Sequence, residues 1–191
     1  MNNNEFEFPN EFIWGTATSA HQVEGNNKNS DWWEWENKDT KNYSIKPQPS
    51  TVACDSYNRY KEDFDLAKSL NTNAIRISIE WARVEPENGV FDEKEINHYK
   101  KVLKYAKSIG LKTYVTLHHF TNPIWFTKLG GWTNGKSNQY FARYCKKCAV
   151  EFDEYIDTYL TINEPQVYTL MSYFLGVWPP NKKNYWYSLT V

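Results

Sequence analysis

Four times along this chain a short apolar run is followed by a helix-length amphipathic pattern, and that alternation constrains the fold more than any other feature. The runs are "FIWGTAT" (12–18), "NAIRISIEW" (73–81), "LKTYVTLHHF" (111–120) and "TYLTINE" (158–164). Helical periodicity follows over 55–69, 91–110 and 137–156, and a fourth helix starts at Pro165 and fails around "GVWPPN". Asp92 with Glu95 three residues on reads as the N-cap of the second helix, and Gly110 as its C-terminal stop. Residues 19–52 read as a long loop punctuated by the Trp cluster "SDWWEWEN", and 121–133 as a loop with a "GGW" turn. No low-complexity linker divides residues 1–191, so they read as a single segment.

Strands alternating with helices predict an α/β fold with parallel strands joined by right-handed crossovers. An open doubly wound sheet and part of a (β/α)8 barrel both satisfy this. No glycine-rich phosphate loop follows the first strand, which weakens the nucleotide-binding version. Polar residues gather instead toward the C-terminal strand ends: Gln22, Arg76, His118 with His119, and Asn163 with Glu164. Barrel active sites lie at that end. Glu164 has a bland reading too, because a carboxylate followed by Pro165 suits the opening of a helix.

Composition removes several function classes. The formal net charge is −1, which makes no electrostatic case for nucleic acid or an anionic membrane. No apolar run is long enough for a membrane span, and "MNNNEFEFPNEF" lacks the architecture of a secretory signal, so a cytoplasmic product is expected. Three cysteines do not suggest a disulfide framework. Cys145 and Cys148 ("CKKC") fall inside a helical pattern with no second ligand pair, so they read as structural thiols and no metal or cofactor is expected. Aromatics reach 17%, with nine Trp and fourteen Tyr. Flat rings serve a packed core, and equally the apolar C–H faces of sugars.

The motifs at those strand ends resemble glycoside hydrolase family 1, the β-glucosidase and β-galactosidase family. "FIWGTATSAHQVEG" is similar to its N-terminal signature, "RISIEWARVEPENGVFDEKEINHYKKVL" to its second strand and helix, "TLHHFTNPIWF" with "GGW" to its third segment, and "TINEP" to its acid/base motif. The likeness runs from about residue 8 to 180. It implies strands β1–β4 of a TIM barrel, roughly half of one, and a retaining mechanism. Carried over by motif, Glu164 is the general acid/base, whose double duty calls for a raised pKa. Asn163 binds the sugar 2-hydroxyl, Gln22 and His119 hold outer hydroxyls, and Arg76 stabilises the nucleophile's carboxylate. Phe120 stands where the family usually has Trp, which keeps an aromatic wall and loses an N–H donor.

Simpler roles stay open for each. Gln22 bonds loop backbone, His119 is a core histidine, or Arg76 pairs with Glu80, which shares its strand parity and sits low beside it. His118 faces away from His119 and packs under the helices. Trp32 and Trp33 are either entrance walls or core.

Retaining glycosidases need two carboxylates. The family's nucleophile lies in a "TENG"-like motif on the seventh strand, and no such motif occurs here. The sequence closes on "YSLTV" where the family's fourth helix would lengthen. Three readings follow: half of a β-glycosidase that needs a complementary C-terminal half-barrel, an inactive truncated fragment, or a non-catalytic sugar-binding half-barrel that associates with itself. In each the small-molecule partner is a β-glycoside or oligosaccharide. A single-chain hydrolase using Glu80 with Glu164 is a fourth.

Overall fold

The computed structural model describes residues 7–38 and 48–191. The start of "MNNNEFEFPNEF" and positions 39–47 of the expected 19–52 loop lie outside them. In chain order the elements are β1 (Gly15–Ala17), α1 (Ala20–Val23), α2 (Asp31–Asn37), α3 (Ser56–Ser69), β2 (Ala74–Ser78), α4 (Trp81–Val84) and α5 (Glu93–Ser108). There follow β3 (Lys112–His118), α6 (Ile124–Lys128), α7 (Ser137–Phe152), β4 (Thr158–Ile162), α8 (Pro165–Thr169) and α9 (Tyr185–Thr190). A π turn, Leu170–Phe174, continues α8.

The four strands form one parallel sheet in the order β1-β2-β3-β4. That order separates the two architectures left open by the sequence. In a doubly wound sheet the chain returns past its first strand, and helices cover both faces. Here every crossover steps in the same direction, so the right-handed rule puts α3, α5 and α7 on one face, as in a barrel wall.

The core lies on that helix-covered face. Ile75, Ile77 and Ile79 of the β2 segment and Val115 and Leu117 of β3 pack against Phe64 of α3, Ile96, Tyr99 and Leu103 of α5, and Phe141, Tyr144 and Phe152 of α7. The opposite face carries Arg76, Tyr114 and Thr116, with Arg76 in register with Tyr114. Full burial of one large apolar side chain stabilises by roughly 1.5–3 kcal/mol, so this single core holds the half-wall together.

Helix starts follow from local chemistry. Asp92 accepts from the backbone N–H of Lys94 at 2.8 Å and of Glu95 at 3.3 Å, and Gly110 takes a left-handed φ of 76° after α5, both as the sequence indicated. The expected 19–52 loop is corrected: it contains α1 and α2, and the Trp cluster rides on α2. Ser30 caps α2 by accepting from Trp33 N–H at 3.1 Å. Gly25 closes the same region. Its φ is 77°, and a Cβ there would meet the Val52 carbonyl oxygen at 2.0 Å, so only glycine lets the 50–55 segment lie against α1. No helix among the described residues is long and apolar enough to cross a membrane.

Candidate active site

The strand ends place the sequence-derived residues in two adjoining groups. The first lines a small cavity formed by Ser19, His21, Gln22, Trp32, His119, Phe120 and Thr121. Gln22 stands on α1, its Oε1 accepts from Ser19 Oγ at 2.7 Å, and its amide N–H2 has no hydrogen-bond partner among the described residues. His119 follows β3. Burial, reinforced by the charge of Arg76, pushes its pKa down to about 4, so the imidazole is neutral at physiological pH. Its Nδ1 is buried without a hydrogen-bond partner among the described residues. A neutral imidazole with an unused ring nitrogen is suited to a hydroxyl, which both donates and accepts.

Phe120 has φ 71°, a left-handed backbone that is costly for an aromatic residue. Its carbonyl accepts from Trp32 Nε1 at 3.3 Å and from Asn122 Nδ2 at 3.4 Å, and these bonds hold the turn. Its ring lies 5.0 Å from that of Trp178, which lies 5.3 Å from Trp32. Trp178 therefore joins Phe120 and Trp32 in an aromatic wall. The sequence reading missed it, because nothing in "GVWPPN" alone ties that loop to α2.

The second group spans β2 to β4. Arg76 donates from Nε to Thr116 Oγ1 at 2.9 Å and from Nη2 to Asn163 Oδ1 at 2.6 Å. Asn163 is buried, and its backbone N–H donates to His118 O at 2.9 Å. Glu164, next in the chain, is exposed and left-handed, with φ 41° and ψ 60°. It holds the N-cap position of α8 with Pro165 in the first turn, as the helix-opening reading expects, but its side chain makes no capping bond, so the carboxylate is left unused by the helix. Two strained non-glycine residues, Phe120 and Glu164, thus stand on one rim at the ends of adjacent strands. Backbone strain of this kind costs on the order of 1–3 kcal/mol each and collects at functional sites.

Two expectations are revised. Arg76 does not pair with Glu80; its partners are Thr116 and Asn163. Glu80 is not low on its strand but beyond its C-terminal end, almost fully buried, accepting from Ala82 N–H at 3.2 Å and Thr121 Oγ1 at 2.8 Å. It caps α4 and braces the cavity floor from beneath. With both oxygens engaged and no access, it has no room for a substrate. His118 behaves as expected, packed against Trp132, Phe141 and Tyr168 with Nε2 at 3.1 Å from Asn122 Oδ1.

Asn122 is a second residue that sequence reasoning missed. Its backbone N–H and Nδ2 each donate to Asp31 at 2.9 Å, Nδ2 also reaches Tyr168 Oη at 3.0 Å, and Oδ1 accepts from Trp132 Nε1 at 3.0 Å. This buried hub ties α2, the β3–α6 turn and α8 together behind the aromatic wall. Cys145 and Cys148 lie on α7, away from both groups, and no cluster of metal-ligating side chains occurs among the described residues.

Residues 4–191 match the family model for glycosyl hydrolase family 1. The chain belongs to that family. Among curated relatives it is 33% identical over 189 residues to β-glucosidase A of Acetivibrio thermocellus, covering 96% of this chain and 42% of the relative. It is 34% identical to the cytosolic β-glucosidase of Homo sapiens, covering 91% and 38%. Among solved structures it superposes on the β-glycosidase from Pyrococcus horikoshii with a TM-score of 0.87 at 35% identity, covering 96% of this chain and 42% of that one. The GH1 β-glucosidase from Exiguobacterium antarcticum B7 gives 0.90 at 32% identity, covering 97% and 42%. This family 1 chain therefore spans about two-fifths of the length of the relatives it matches, and its sheet is the β1–β4 portion of their barrel.

Proposed function

We propose that this chain contributes the acid/base and glycone-binding half of a retaining β-glycosidase acting on β-linked glucosides or galactosides. The observation that carries the reading is the juxtaposition of Glu164 and the Arg76–Asn163 pair with the cavity of Gln22, His119 and Phe120. Glu164 protonates the glycosidic oxygen as the C–O bond breaks. A second carboxylate attacks the anomeric carbon, and Glu164 then takes a proton from the water that releases the sugar. The two carboxyls have to stand roughly 5–5.5 Å apart. That second carboxylate comes from the C-terminal half of a complete barrel, where it meets Arg76, whose guanidinium has no acidic partner among the described residues. The same completion covers Glu164, which is exposed here, and supplies the low-dielectric surroundings that acid catalysis uses. A cytoplasmic location belongs to the same proposal, in keeping with the human relative's printed name.

The test is a barrel completed with the C-terminal portion of a family 1 relative. Glu164→Gln there lowers hydrolysis of glycosides with poor leaving groups by about 10²–10⁴-fold. Azide restores turnover of an activated aryl glycoside, because it needs no general base. Undiminished activity in Glu164→Gln defeats the assignment.

A further inference from the structure

Gln22 reaches the cavity from α1, a single-turn helix whose N-cap Ser19 makes no side-chain capping bond. One turn has no stability of its own, so the place of α1 is set from outside. Ala20 N–H donates to Ser78 Oγ at 2.7 Å, which ties the start of α1 to the end of β2. His21 Nε2 lies 2.7 Å from Glu36 Oε1 and fastens one side to α2. At the far end, Arg83 donates from Nε to Glu24 Oε2 at 2.9 Å and from Nη2 to the Gly25 carbonyl at 2.6 Å. The Glu24 carboxyl also faces Tyr99 Oη, at 2.9 Å and 3.1 Å from its two oxygens. Tyr99 comes from the middle of α5, is buried, and does not line the cavity.

The same Tyr99 Oη accepts from the Glu80 backbone N–H at 3.1 Å. Glu80 in turn accepts from Thr121 Oγ1 at 2.8 Å, and Thr121 lines the cavity beside His119 and Phe120. One hydroxyl therefore joins two chains of bonds. The first runs through Glu24 to α1 and Gln22. The second runs through Glu80 to the turn after β3 that carries His119. We infer that Tyr99 is a positioning residue, which sets the spacing between these two walls of the cavity without touching the sugar. The Glu80 N–H can only donate, so the junction needs a group that accepts from it and donates to Glu24 at one atom, as a tyrosine hydroxyl does. The ring of Tyr99 packs in the core, 6.5 Å from that of Phe152 and edge-on to it, so α5 holds the hydroxyl at a fixed point relative to the sheet. The inference rests on the glycosidase reading for the part Gln22 plays, and on the hydrogen bonds alone for the joint itself.

Tyr99→Phe removes the hydroxyl and keeps the ring, and its test has two arms. In the barrel completed with the C-terminal portion of a family 1 relative, Tyr99→Phe lowers kcat/KM for an aryl β-glucoside about 10-fold, while the same substitution made on Gln22→Ala costs less than about 2-fold. That coupling marks an effect passing through Gln22, whereas a general loss of stability lowers both backgrounds by the same factor. In the chain alone, amide hydrogen exchange is followed by NMR at Val23 and Glu24, whose N–H groups close the α1 turn on Ser19 and Ala20. Both exchange about 10-fold faster in Tyr99→Phe, and the Asn163 amide, bonded to His118 O, keeps its rate. An undiminished kcat/KM, equal factors in the two backgrounds, or exchange that is unchanged or accelerated everywhere overturns the inference. A completed parent barrel without Glu164-dependent hydrolysis sinks the glycosidase reading by itself, and the exchange arm then decides on the joint.

Discussion

Arg76 donates from Nη2 to Asn163 Oδ1 at 2.6 Å across the intervening strand β3. The bond fixes which way the Asn163 amide points. With Oδ1 occupied, Nδ2 is left to donate, which is the polarity a sugar hydroxyl accepting a hydrogen bond requires. Arg76 also holds Thr116, so its own position is set by two bonds from one planar group.

Arg76→Lys keeps the charge and loses that fork. In a completed barrel kcat/KM falls by about 10²–10³-fold, roughly 3–4 kcal/mol of transition-state stabilisation, with most of the loss in kcat. Steady-state kinetics of the variant against an aryl β-glucoside check this. A loss confined to KM would make Arg76 a ground-state contact only.

Asn122 serves Asp31, Tyr168, Trp132 and His118 at once in a buried setting. Asn122→Ala leaves several of these groups unpaired and costs about 3–5 kcal/mol. The urea midpoint of the isolated chain reports it. A midpoint within the error of the parent would show that the hub carries no net stability.

Burial pushes the Asp31 carboxyl up to about 7, against the hydrogen bonds from Asn122. Burial likewise pushes Glu24 up to about 7, with Arg83 and Tyr99 acting the other way. Both acids hold their protons more tightly folded than unfolded. Their contribution is therefore fully present below about pH 4 and is lost as pH rises through about 7, on the order of 3–4 kcal/mol each at most. The buried, neutral His98, His118 and His119, pushed down to about 4, act in the opposite sense below about pH 6.5. Asp31→Asn with Glu24→Gln therefore isolates the acids. Thermal melts of the double variant should show a more positive pH slope between pH 5 and pH 8 than the parent, and an unchanged slope contradicts the raised pKa of these two groups.

Burial also sets the thiols. It pushes Cys145 up to about 11 and Cys148 higher still, while Cys54 is exposed. At pH 7.5 a disulfide reagent titrates one thiol per folded chain rapidly and the other two only on unfolding. Fast reaction of all three would refute a structural role for the pair on α7.

The strands and long helices were legible because their patterns are long: isoleucine at alternate positions in β2, and an apolar stripe with a capped start in α5. Short elements were not. The helices α1, α2, α4, α6 and α9 have too few turns for periodicity to show. Only local signals marked them, such as Ser30 before Asp31 and Glu34 in the first turn of α2, within a stretch whose Asn, Lys and Asp content reads as loop. The choice of a barrel wall over a doubly wound sheet depended on strand order, which sequence periodicity does not encode. At the candidate site, Gln22, Arg76, His119, Asn163 and Glu164 were legible as polar residues at the strand ends, and motif likeness gave them roles and added Phe120. Asn122 and Trp178 were missed because their partners are far along the chain: Asp31 lies 91 residues from Asn122. Arg76 and Glu80 share strand parity, but the turn after β2 carries Glu80 out of reach and into the cap of α4, a change of direction that parity alone cannot show.

The measurement that tests the account most directly is aryl β-glucoside hydrolysis by the purified chain, assayed on every species separated by size and repeated after a C-terminal half-barrel is added. The account predicts no turnover from the chain alone in any assembly state, and turnover dependent on Glu164 once the second carboxylate is supplied. Hydrolysis by a species made only of this chain would contradict it, because a second catalytic carboxylate would then have to lie within these residues.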